Sequence, residues 1–142
     1  MSRAAFHDAL VTDPVLQGLG INAQTLFHNW SSEERPSNST PFVILRWEDE
    51  AKPIWGSERE RGARNLTLWV HYPLAVTNDF NKINVVLDRI DDVVTELRDV
   101  VGSDGKTLSF VQLGGRSADL TDEGFETITR NASYQIYSVA SS

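Results

Sequence analysis

The chain has 142 residues and carries 20 Asp and Glu against 13 Lys and Arg, a net charge of -7. That length suits one domain able to bury about two thirds of its unfolded surface without help from metals or disulfides. The absence of cysteine excludes disulfides, thiolate zinc sites and cysteine nucleophiles, and the acidic balance argues against a surface that grips nucleic-acid phosphates. No early basic segment precedes an apolar run, and no stretch approaches the length of a membrane span, so the expectation is a soluble, intracellular protein with no membrane partner.

Between Ser2 and Leu10 the residues Ala5, Phe6, Ala9 and Leu10 make a short helical stripe, and Asp13-Pro14 disfavours its continuation. Val15 to Ile21, with Gly18 and Gly20 among apolar residues, reads as a compact turn anchored by Val15, Leu16, Leu19 and Ile21. Thr25 to Trp30 is a weak first strand, and the polar stretch from Ser31 to Pro41 a surface loop. Phe42-Val-Ile-Leu-Arg-Trp-Glu is β-branched and aromatic between turn signals, a clear strand. Asp49 to Arg64 holds Lys52-Pro53, Gly56, Gly62 and the alternating charges Glu58-Arg59-Glu60-Arg61, and reads as a long hairpin loop. Asn65-Leu-Thr-Leu-Trp-Val-His-Tyr then alternates, with Leu66, Leu68, Val70 and Tyr72 on one face and Thr67, Trp69 and His71 on the other. Pro73 stops it.

From Asp79 to Val101 apolar residues recur three or four apart, which predicts one amphipathic helix of roughly 34 Å, capped by Asn78 and ended by Gly102. Its polar face carries Lys82, Asp88, Arg89, Asp91, Asp92, Glu96 and Asp99 and is expected to be solvated. Thr107 to Leu113 is a further strand, Gly114 to Gly124 a second loop, and Phe125 to Val139 the longest strand. In that last strand Ile128, Ala132, Tyr134 and Ile136 lie on one side, and Thr127, Thr129, Ser133 and Tyr137 on the other. The expected architecture is one α+β domain over residues 1–142. It is a mainly antiparallel sheet of four to five strands with a short N-terminal helix and one long helix packed on one face.

The chemistry-bearing residues form few constellations. Asp88, Asp91, Asp92 and Glu96 share a helix face in a way that a divalent cation would need, but interspersed Arg89 and Arg98 favour ordinary charge patterning. Asp119, Asp122 and Glu123 lack the spacing of a calcium loop. His7, His28 and His71 are far apart, no Gly-x-Ser-x-Gly turn is present, and Gly114-Gly115-Arg116 has neither the length nor the lysine of a phosphate loop. No catalytic residue, cofactor site or metal site is therefore assigned. The tryptophans say more: Trp47 and Trp69 fall in strands and suit core packing, whereas Trp55 sits in a loop beside charges and suits a partner surface. Thr67, Trp69, His71, Thr127, Thr129 and Tyr137 make a semi-polar sheet face with no helix obvious enough to cover it, a role that a subunit interface would fill.

The order of these elements resembles the tail terminator, or tail-completion, proteins of long-tailed bacteriophages. The likeness rests on the helix Ala4 to Leu10 with Asp13-Pro14, the strand Pro41 to Trp47 and the charged loop leading into Arg64-Asn-Leu-Thr-Leu-Trp-Val-His-Tyr. The helix containing Ile83, Leu87, Asp88, Ile90 and Leu97 and the long final strand complete it. The resemblance implies a non-catalytic virion protein at the tail-neck junction, assembled in the host cytoplasm. It would be a homohexameric ring that caps the tail tube, ends its polymerisation and meets the head-tail connector, with DNA passing through an acidic lumen without specific binding. Contacts between subunits and to the tube protein would fall to Trp55, Arg59, Arg61, Arg64, Arg116 and Asp119. A neck or head-completion protein of related fold is the alternative, with a small acidic metal-dependent enzyme a more distant one.

Overall fold

A computed structural model describes residues 3–28, 39–51 and 61–139, with the backbone only at 49–51, 61, 62, 138 and 139. Helix α1 (Arg3–Val11) buries Ala5, Phe6 and Leu10. Its stripe ends where expected, but the chain then enters a second short helix rather than a turn. Asp13 caps α2 (Pro14–Gly18) by accepting the Leu16 N–H at 2.9 Å, and Pro14 occupies the first turn, where its missing N–H costs nothing. Leu16 and Ile21 anchor this segment, whereas Val15 is half exposed.

Strand β1 (Leu26–His28) pairs in parallel with β2 (Phe42–Ala51), the one parallel pairing among the described strands. Trp30, to which the first strand was expected to run, lies outside the described residues. Strand β2 pairs antiparallel with β3 (Arg61–Pro73), and the pairing of Glu50 with Arg64 and Ala51 with Ala63 carries both strands well into the predicted loop. β3 then pairs along its whole length with β7 (Thr127–Val139).

The long helix is shorter than its periodicity suggests. Helix α3 spans Phe80–Thr95, about 24 Å, and is capped by Asp79 rather than Asn78 through the Asn81 N–H at 2.9 Å. It ends before Gly102 because β-branched Val100 and Val101 form a two-residue strand, β4, paired with Leu108 and Thr107 of β5 (Thr107–Arg116). Asp99 makes the exit in the left-handed region, φ 50°, and donates its N–H to Ser109 O at 3.0 Å. Leu97 remains buried, but Val101 is exposed, so its match to the helical period is a coincidence of spacing.

β5 pairs with β7, and so does β6 (Leu120–Asp122), making these two segments one interrupted strand where a loop was expected. The sheet runs β1-β2-β3-β7-β5-β4, with β6 beside β7. The five expected strands are all present; the two additional ones, β4 and β6, are two and three residues long.

The α+β architecture is thus as expected, with all three described helices on one face. Phe6, Leu10, Leu16, Ile83, Leu87, Ile90 and Val94 pack there on Val43, Leu45, Leu66, Leu68, Val70, Leu108 and Ile136. Full burial of such side chains stabilises by about 1.5–3 kcal/mol each relative to exposure, which makes this layer the main source of stability.

Candidate functional site

The polar face of α3 is not simply solvated. Arg116 reaches back from β5 to lie 2.5 Å from Asp91 Oδ2 and 2.9 Å from Asp88 Oδ1. The Tyr134 hydroxyl donates to the other Asp91 oxygen at 2.7 Å, and burial followed by this bond pushes the phenol well above its ordinary pKa. Further along the same strand face, Arg130 donates to Asn84 on α3 and to Ser117 O at 3.0 and 2.8 Å. These bonds brace the helix to the sheet around its apolar stripe.

The same geometry answers the acidic clusters. Asp88 and Asp91 converge on a guanidinium, and Asp122 accepts the Phe125 N–H at 2.9 Å as a turn residue. Among the described residues no three His, Asp or Glu side chains are placed to hold one metal ion.

His71 is also structural. It is 3% exposed and stacked on Phe42 with ring centroids 4.9 Å apart, and its Nδ1 lies 2.8 Å from Thr127 Oγ1. Burial lowers its pKa to about 4, so the ring is neutral at neutral pH. Phe125 closes over the ring edge at a 65° interplanar angle.

The opposite face of the sheet has a different character. Strand alternation and register place Thr67, Trp69 and His71 of β3 beside Ser133, Asn131 and Thr129 of β7, with Gln135, Tyr137, Gln112 and Phe110 continuing toward β5. None of these residues of β3, β5 and β7 carries a formal charge at neutral pH; the charges of this face lie on β2, where Arg46 pairs with Thr67 and Glu48 accepts from the Thr67 hydroxyl at 3.2 Å. Among the described residues no helix covers this face. Phe110 and Tyr137 stack at 4.4 Å, and the Tyr137 hydroxyl donates its one hydrogen to Gln135 Oε1 at 2.5 Å, with Gln112 Oε1 3.2 Å away. Beside them a groove of about 290 Å³ is lined by Glu48, Thr67, Gln112, Gly114, Ser133 and Gln135. The alternation is as expected, but of the six residues His71, Thr127 and Thr129 are buried, so the accessible part of this face holds Thr67, Trp69 and Tyr137 with Ser133, Gln135 and Gln112.

Of the six residues expected at interfaces, Arg64, Arg116 and Asp119 have described side chains, and these do not form one patch. Trp55 and Arg59 lie outside the described residues, and Arg61 opens β3 opposite Val139. Arg64 donates from Nε to Glu48 O at 3.0 Å and lies over the Trp47 ring at 5.7 Å, at the base of the β2–β3 hairpin. Arg116 turns inward to α3, whereas Asp119 is 57% exposed in the link to β6, 3.5 Å from Arg130. Arg64 faces Ile136 and Arg116 faces Ala132, so the two groups are separated by four residues of β7, about 13 Å. What sequence reasoning missed is the bracing set of Tyr134, Arg130 and Asn84. Its only signal was Gly114-Gly115, where a register shift between Leu113 and Arg116 accompanies the return of Arg116 to the helix side.

No protein-family model matches the chain, and no curated protein matches it in sequence. Among solved structures it is similar to a chain of the "Virion of native gene transfer agent (GTA) particle". The two share a TM-score of 0.70 and 14% identity over 96% of this chain and 93% of that one. The two chains therefore share an α+β fold nearly end to end, at an identity too low to carry individual residue roles.

Proposed function

We propose that this chain is a non-catalytic structural protein of a phage-like virion, specifically a tail terminator. It forms a ring on the end of the tail tube, stops tube polymerisation and presents a surface to the head-tail connector at the tail-neck junction. The observation that carries the reading is the near-full-length likeness to a chain of a gene transfer agent virion. The sheet face supports self-association: copies of net charge -7 repel one another, and a hydrogen-bonding surface whose only charges at its β2 side are the opposed Arg46 and Glu48 is where they approach at least electrostatic cost. A homohexamer assembled in the host cytoplasm is the state assigned. Trp55 and Arg59, between β2 and β3 in sequence, Arg61 and Arg64 of β3, Arg116 at the end of β5 and Asp119 before β6 serve contacts between subunits and to the tube. An acidic lumen lets DNA pass without adhering.

The second reading is a neck or head-completion protein of the same fold. Incubating purified tail tubes with the protein separates the two. A terminator binds the tube end and blocks further addition of tube protein, whereas a neck protein leaves elongation unchanged. In the same assay, the combined substitutions Trp55→Ala, Arg59→Ala and Arg61→Ala are expected to leave the fold intact and weaken tube binding or assembly. Unchanged binding and assembly would remove these residues from the interface. The metal-dependent enzyme is disfavoured by the pairing of Asp88 and Asp91 with Arg116.

A further inference from the structure

The contact of α1 with the strands beneath it contains a cluster that neither the core nor the proposed interfaces require. His28, at the end of β1, stacks on His7 of α1 with ring centroids 4.9 Å apart and an interplanar angle of 26°. On its other side the indole N–H of Trp47 points at His28 Nδ1 from 3.0 Å. An indole nitrogen only donates, so His28 Nδ1 must present a lone pair and the neutral ring carries its proton on Nε2. Protonation places a second hydrogen on Nδ1, facing the indole N–H, and turns an acceptor into a repelled donor.

The surroundings oppose that proton as well. Arg3 of α1 lies over the same Trp47 ring at 5.6 Å, and Arg64 of β3 lies over it at 5.7 Å. His7 Nδ1 is 3.5 Å from Asp8 Oδ1, the described carboxylate nearest the pair on α1, and Glu48 follows Trp47 on β2. Partial burial first, then His7 and Arg3, hold His28 below the ordinary histidine range.

We propose that His28 is a proton-operated latch for α1: its neutral ring fixes the helix to β1 and β2 through His7 and Trp47, and its protonation opens that contact. The rest of α1 stays attached through Phe6 and Leu10, both fully buried, so the change is a local loosening rather than unfolding. The sign follows from the lowered pKa. The neutral ring's contribution is complete above the unfolded histidine value of about 6.5 and is lost as pH falls through the folded value.

The test is amide hydrogen exchange on the full chain at about pH 7.5 and about pH 5, corrected for intrinsic rates. Protection at residues 5–10 should fall several-fold more in acid than that of the paired amides of β3 and β7, which lose only what the His71-linked fall in global stability removes. His28→Gln keeps an acceptor for Trp47 and takes up no proton, so its α1 protection should fall no further in acid than that of β3 and β7. Nitrogen NMR of the imidazoles in the unaltered chain gives a second readout. The His28 titration should coincide with the loss of α1 protection, and His7→Gln should move it upward. A loss of α1 protection in acid no greater than that of β3 and β7, an equal loss in His28→Gln, or a His28 titration unmoved by His7→Gln would overturn the proposal.

Discussion

Arg89 and Asp13 stand 76 residues apart in the chain and are joined by two hydrogen bonds, from Nε at 3.0 Å and from Nη2 at 2.6 Å, one to each carboxylate oxygen. Asp13 also caps α2, so one carboxylate ties the short helix to the long one. Asp13→Asn keeps the cap and loses the charge; Asp13→Ala loses both, with the cap alone worth about 1 kcal/mol. Urea unfolding should therefore rank the unaltered chain above Asp13→Asn, and that above Asp13→Ala. The hydrogen bond from Arg89 outweighs the opposing effect of burial and holds the Asp13 carboxyl below its ordinary range. Its contribution is accordingly present above about pH 3.9, is lost as pH falls through the folded value, and should be missing from the acid limb of Asp13→Ala.

His71 acts in the same direction at higher pH. Because burial lowers its pKa to about 4, the unfolded chain takes up the proton first, and stability should fall as pH drops from about 6.5 to about 4. The limiting slope for one such site is about 1.4 kcal/mol per pH unit. His71→Gln should flatten this part of the urea stability profile. A profile as steep as that of the unaltered chain would show that another group governs it.

The bond from Tyr134 to Asp91 should appear in stability rather than in assembly. Tyr134→Phe removes one hydrogen bond to a charged acceptor and should cost about 1.5–3 kcal/mol, since the residue is only 2% exposed and water cannot readily replace the hydroxyl. Thermal unfolding checks this.

Gly114 and Gly115 offer a matched pair. A Cβ on Gly114 would stand 2.8 Å from Ser133 O, a backbone atom of the paired strand, whereas one on Gly115 would meet nothing within 4 Å. Gly114→Ala should destabilise by about 1–3 kcal/mol through overpacking. Gly115→Ala should leave the unfolding midpoint nearly unchanged.

Alternation in β3 and β7 was readable from the residues because the side-chain period of a strand is two, and Leu66, Leu68 and Val70 on one face against Thr67, Trp69 and His71 on the other admit a single register. The helix end was not. Leu97 and Val101 satisfy the helical spacing, and only the tertiary option of pairing Val100 and Val101 with β5 decides against it. The caps show the same limit: Asn78 and Asp79 are both competent residues, and the choice rests on a local bond to Asn81. The inward pairing of Arg116 was hidden for a different reason. A charged residue after two glycines reads as loop and surface, whereas the register shift preceding it turns it to the helix side, where Asp88 and Asp91 wait. The pairing of Arg89 with Asp13 had no sequence signal, since ion pairs at such separation follow from packing and not from spacing.

The proposed ring is tested most directly by the solution mass of the purified protein, measured by light scattering over a range of concentrations and at low and high salt, alone and with tail tubes. The account predicts a discrete species six times the 15.9 kDa chain mass, either free or on the tube. A stable dimer, or a monomer that stays monomeric in the presence of tubes, would contradict it.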